Sequence, residues 1–118
     1  MINALTIDVE DYHNSTARAW RQVIYEPTRA VVTYTTQLLE LFADRGVRGT
    51  FFTLGDVAET YPQLIRDIAA AGHELGVHGY YHEQVFKLTP EEFRGRITAA
   101  KSLIEDTAGM PVYGHRAP

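Results

Sequence analysis

His78 and His82 stand four residues apart, and three carboxylates fall in one short run at Asp8, Glu10 and Asp11. Two imidazoles and one carboxylate can hold a divalent cation at three positions and leave a fourth open for water, which is what a catalytic zinc-like centre needs. The sequence has no cysteine, so it has neither a disulfide nor a thiolate ligand. Any transition-metal site must therefore be built from imidazole and carboxylate. Arg116 adds a guanidinium whose planar fork of donors matches a carboxylate. Taken singly, each feature has an ordinary reading. A histidine pair at this spacing arises by chance, an acidic run is commonly a solvated turn, and an arginine near a terminus is commonly a surface charge.

The elements that must position these residues change that weighting. Residues 4–9 are apolar and β-branched with no turn residue among them, which predicts a short buried strand ending at the acidic run. A polar, irregular stretch with the only tryptophan, Trp20, follows through Pro27. Val31, Tyr34, Leu38, Leu41 and Phe42 then recur at helical spacing, with Gly46 as the C-cap. Residues 49–54 form a second strand closed by Gly55. Pro62 stands near the start of a helix whose apolar side is Leu64, Ile65, Ile68 and Ala69, and Gly72 closes it. Residues 74–78 form a third strand leading into a turn at Gly79, Tyr80 and Tyr81. Thr89, Pro90, Glu91 and Glu92 spell a capping box with proline at the first helical position. The helix it opens presents Phe93, Ile97, Ala100 and Ile104 on one face and ends at Gly109, and Pro111 hands over to a fourth strand at 112–116.

Strand and helix alternate in units of roughly 25 to 35 residues, the rhythm of βα crossovers in a parallel sheet. Functional groups in such folds gather past the C-terminal ends of the strands. Asp8, Glu10 and Asp11, then His78 and His82, then Arg116 all fall at those ends, and this coincidence carries the functional reading. Alternation along the first strand puts Asp8 and Glu10 on one side, favouring Glu10 as the carboxylate ligand. A turn starting at Glu10 would instead swing Asp11 inward, so both stay candidates. Tyr12 and His13 follow the acidic run and could reach the site, depending on the conformation of the loop. His73 precedes the third strand, so it belongs to the opposite face and reads as structural. His115 alternates away from Arg116.

The 118 residues suit one domain. A net charge of −4, with eleven Lys and Arg scattered along the chain, argues against a nucleic-acid partner. No apolar run approaches the roughly 18 residues of a membrane span, and the N-terminus lacks a signal-peptide pattern, so the expected location is cytoplasmic.

The segments Gly49-Thr50-Phe51-Phe52-Thr53-Leu54-Gly55 and Ala71-Gly72-His73-Glu74-Leu75-Gly76-Val77-His78-Gly79-Tyr80-Tyr81-His82, together with Arg116-Ala117-Pro118, resemble motifs of the NodB-homology polysaccharide deacetylases. The resemblance runs almost end to end. It implies an α/β fold, a partial (β/α) barrel of the NodB/glycoside hydrolase-deacetylase type whose parallel strands alternate with helices. It also implies that residues 1–118 are the N-terminal part of that domain, truncated after the fourth strand and inactive as a fragment by itself. Further implications are metal-dependent removal of N-acetyl groups from an amino-sugar polysaccharide or oligosaccharide, Asp8 as catalytic base oriented by Arg116, and His78 and His82 as ligands. The metal would be a divalent cation, zinc first among the choices. The family commonly has two adjacent aspartates where this chain has Asp8-Val9-Glu10-Asp11-Tyr12, a form similar to a branch associated with exopolysaccharide. Alternatives are an allantoinase-like or cyclic imide hydrolase on the same scaffold, or a non-catalytic metal- or glycan-binding fragment.

Overall fold

A computed structural model describes residues 3–14 and 26–118; Trp20 and most of the polar stretch around it lie outside the described residues. Four strands, β1 (Thr6–Val9), β2 (Thr50–Thr53), β3 (Glu74–Val77) and β4 (Gly114–His115), form one sheet in the order β1-β2-β3-β4. All three pairings are parallel, with Asp8 opposite Phe52 and Gly76 opposite both Phe52 and Gly114. Helices α1 (Ala30–Arg45), α2 (Gly55–Thr60), α3 (Pro62–Ala70) and α4 (Pro90–Ala108) make the crossovers. The fold is the expected α/β alternation.

Val9, Phe51, Leu75 and Val77 point from one face of the sheet into a core completed by Leu64, Ile65 and Ile68 of α3 and by Ala100 and Ile104 of α4. Burying each large apolar side chain is worth about 1.5–3 kcal/mol, so this face fixes the strand register and thereby which residues point the other way. Thr6, Asp8, Phe52, Gly76 and Gly114 belong to that other set. Gly76 is required there by close approach, since a Cβ at this position would stand 2.5 Å from the Phe52 ring.

Helix boundaries follow local chemistry. Thr89 accepts the backbone N–H of Glu92, the Glu92 side chain accepts that of Thr89, and Pro90 is the first helical residue of α4. Gly46 ends α1 with φ 61, as its αL role predicts. Two expectations need correction. Gly55 does not close β2 into a loop but opens α2, a helix too short for periodicity to reveal. Val31, Leu38 and Phe42 of the expected stripe on α1 do pack on the core, but Tyr34 and Leu41 are exposed and Thr35 is buried, so the contact stripe is narrower than the apolar spacing suggested. Among the described residues no helix is long and apolar enough to cross a membrane.

Candidate metal centre

The sheet face opposite the core, which holds Asp8, Phe52 and Gly76, carries the chemistry. Arg116 follows β4, where its backbone N–H donates to Val77 O at 2.9 Å. Its side chain reaches across the sheet to β1: Nη1 donates to Asp8 Oδ1 at 2.7 Å and Nη2 to Thr6 Oγ1 at 2.5 Å. The span is possible because Phe52 lies flat over the Cβ-less trough at Gly76, and the guanidinium stacks on that ring 4.4 Å from its centroid. One oxygen of Asp8 is thus held in a fixed orientation by a fork whose other arm is also engaged.

His78 continues β3, its N–H donating to Thr53 O at 2.9 Å. Its Nδ1 lies 3.0 Å from Arg116 O. A carbonyl oxygen only accepts, so Nδ1 carries the proton and the Nε2 lone pair of the neutral ring is left for a ligand. Gly79 (φ 89) and His82 (φ 61) both take left-handed conformations, which bend the chain until the two imidazoles stand 5.3 Å apart at 72°. A non-glycine residue in this region is uncommon and strained, so the position of the His82 ring is held by its surroundings.

Glu10 completes the cluster. Its Oε2 lies 2.8 Å from His82 Nε2, and Glu10, His78 and His82 each offer a donor atom within 4.8 Å of the others. The His82 hydrogen bond holds the Glu10 carboxyl below its usual range, and the same bond from Glu10 holds His82 above its own. The Nδ1 of His82 is buried without a hydrogen-bond partner among the described residues. Donors bound to one cation at about 2.0–2.2 Å would stand roughly 3.3–3.6 Å apart, a spacing between the 2.8 Å of the Glu10–His82 pair and the 4.8 Å that bounds the set. Two imidazoles, one carboxylate and a tautomer fixed by a backbone carbonyl fit a divalent metal.

Of the two carboxylates the sequence left open, the structure brings Glu10 to the histidines and not Asp11. Asp11 is 4% exposed, and its Oδ1 accepts the Tyr12 N–H at 2.6 Å and the Thr28 hydroxyl at 2.7 Å. It braces the short 3-10 turn Tyr12–Asn14. Tyr12 is exposed, whereas His13 is buried with Nε2 3.0 Å from Asp56 Oδ2, turned to α2. His73 sits between the Phe42 and Phe51 rings on the helix side, and His115 packs edge-on to Phe93 of α4, away from Arg116. Sequence reasoning did not single out Phe52 or Asp56. Asp56 could have been found from its place just past the C-terminal end of β2, whereas the pairing of Phe52 with Asp8 follows from the sheet register and has no local signal. Beside Asp8 and Glu10 opens a cleft of about 380 Å³ walled in part by Tyr12, Val31, Tyr34 and Leu38.

Comparison with known proteins bears on this geometry. The profile of the polysaccharide deacetylase family matches residues 22–118, a span that holds His78, His82 and Arg116 and starts after Asp8 and Glu10. The chain is 33% identical over 87 residues to a peptidoglycan-N-acetylglucosamine deacetylase of Bacillus cereus, covering 69% of this chain and 32% of that protein. It is 34% identical over 82 residues to a peptidoglycan deacetylase of Helicobacter pylori, covering 70% and 28%. The chain thus spans about a third of the length of these curated relatives. Among solved structures, a carbohydrate esterase family 4 pseudoenzyme from Bacillus anthracis superimposes with a TM-score of 0.77 at 23% identity, covering 98% of this chain and 34% of that one. That likeness shows the fold alone, and since the neighbour is a pseudoenzyme, the argument for chemistry rests on the residues of the site.

Proposed function

The chain belongs to the polysaccharide deacetylase family, and from that membership we propose that it carries the metal- and base-bearing part of a hydrolase that removes acetyl groups from N-acetylated amino sugars in a glycan. The observation that carries this reading is the convergence of Glu10, His78 and His82 beside an Asp8 already held by Arg116. A divalent cation there, zinc first among the candidates, would supply Lewis acidity to the acetamide carbonyl and make a nearby water more acidic.

The residues do the rest. Glu10, His78 and His82 would hold the cation, and three protein ligands would leave a coordination position for water or substrate. Arg116 occupies Oδ1 of Asp8, which leaves Oδ2 to act as the proton acceptor for the attacking water. The His78 Nδ1–H bond to Arg116 O links ligand and base through one residue, so the distance between them is set by the end of β4. Relatives named for peptidoglycan and chitin deacetylation support an N-acetylated glycan as the substrate class.

The test is acetate release from N-acetylglucosamine oligomers and from peptidoglycan by the full-length protein, before and after chelation and with metal returned. Chelator-sensitive release restored by zinc or another divalent cation is expected. Release that is indifferent to the chelator, or no release from any N-acetylated glycan by the metal-loaded protein, would overturn the reading.

A further inference from the structure

The two loops that carry the candidate metal ligands come from different strands, β1 and β3, and the strand between them supplies their tie. Helix α2 follows β2 and begins between the loops. On one side its backbone fastens the histidine loop: Gly55 N–H donates to Gly79 O and Asp56 N–H to Tyr80 O, both at 3.0 Å. Gly55 is packed so closely there that a Cβ would stand 2.6 Å from the Tyr80 ring. On the other side the Asp56 carboxylate fastens the loop that carries Glu10. Oδ2 accepts from Asn14 Nδ2 at 2.6 Å and lies 3.0 Å from His13 Nε2. Asn14 in turn accepts the Asp11 N–H on Oδ1 at 3.0 Å and donates its own N–H to Asp11 O at 2.9 Å. Asp11 is the residue next to Glu10.

We propose that Asp56 is a positioning residue for the metal centre, tying the Glu10 loop to the His78–His82 loop through its side chain and its own backbone N–H. The proposal rests on the metal-site reading above. The chain from Asp56 Oδ2 through Asn14 to Asp11 fixes the turn after β1, and the orientation of Glu10 follows from that turn. His13 and Asn14, 5% and 4% exposed, and the partly buried Asp56 make this an interior clasp rather than a surface contact. Water competes poorly for such bonds, so their loss is felt by whatever they orient.

The experiment measures zinc affinity of the intact chain by competition with a chromophoric chelator, with circular dichroism of the metal-free proteins as the control for folding. Asp56→Ala removes the acceptor and should weaken zinc about 10- to 100-fold, the range found for outer partners of metal ligands. Asn14→Ala breaks the next link, and it should cost a similar factor and add little on top of Asp56→Ala. Asp56→Asn still presents an oxygen to Asn14 and should recover most of the affinity. The decisive comparison is made in a Glu10→Gln background. If Asp56 acts through Glu10, Asp56→Ala should there have almost no further effect, whereas a general loss of structure would weaken the remaining histidine site as well. An Asp56→Ala protein that binds zinc as wild type does, or one whose loss persists undiminished in the Glu10→Gln background, overturns the proposal while leaving the metal site standing. Wild type that takes up no zinc overturns both. Should Asp56→Ala not fold, Asn14→Ala in the two backgrounds decides the question.

Discussion

Arg116 Nη1 donates to Asp8 Oδ1 at 2.7 Å across 108 residues of sequence, joining the first strand of the sheet to the end of the last. Both side chains are about a third exposed, so the pair contributes little to stability, and its consequence is geometric. If Asp8 is the base, Asp8→Asn should retain zinc, because amide and carboxylate are nearly the same size and Asp8 is outside the ligand set. Acetate release should nevertheless fall by at least about 100-fold, the lower bound of a general-base contribution. Arg116→Lys should fall between the two, since charge survives but the fork does not. An Asp8→Asn protein that loses zinc as fully as His78→Ala would reassign Asp8 to the coordination sphere.

Glu10 and Asp11 should separate cleanly. Glu10→Gln is expected to weaken zinc beyond the roughly 10- to 100-fold that loss of a supporting partner costs, as should His78→Ala and His82→Ala. Asp11→Asn keeps one acceptor for the Tyr12 N–H and the Thr28 hydroxyl and should bind close to wild type. Elemental analysis after exhaustive dialysis reads both. Retention of metal by Glu10→Gln with loss by Asp11→Asn would reverse the assignment.

Gly76→Ala tests the platform beneath Arg116. The new methyl would meet the Phe52 ring at 2.5 Å and must displace it, at an overpacking cost of about 1–3 kcal/mol. Because the guanidinium rests on that ring, turnover should drop more than zinc affinity does. Chemical denaturation, zinc competition and acetate release on the same preparation would reveal a variant in which all three are unchanged, and with it a ring free to move without consequence.

His73 should make stability depend on pH. It is 3% exposed, its Nδ1 accepts the Gly49 N–H at 3.3 Å, and burial first, then the charge of Arg48, holds its pKa below the ordinary value. The folded state therefore resists a proton that the unfolded state takes up near pH 6.5. Its contribution is present in full above that pH and is lost as pH falls below it through the lower folded pKa. His73→Asn keeps an acceptor for Gly49 but does not titrate. Denaturant midpoints of the chelated proteins should fall more steeply below about pH 6.5 for wild type than for the variant; parallel curves would show that His73 is not the titrating group.

The sequence by itself determined the alternation of strands and helices, the Thr89 capping box, the Gly46 C-cap and the placing of Asp8, His78, His82 and Arg116 at strand ends. These are read from signals within a few residues of one another: apolar period, cap chemistry and the alternation of side chains along a strand. Alternation also put Glu10 on the side of Asp8, but it could not say where the chain turns next. Only the tertiary structure decided for Glu10, because Asp11 is drawn away by Thr28 from beyond the turn and by the Asn14–Asp56 link from the next crossover. The same holds for the Phe52 ring under Arg116, the short helix α2 opened at Gly55, and the exposure of Tyr34 and Leu41. Each depends on which distant element packs against the residue. Local propensity and period fix the faces of an element, whereas contacts between elements far apart in sequence fix what those faces meet.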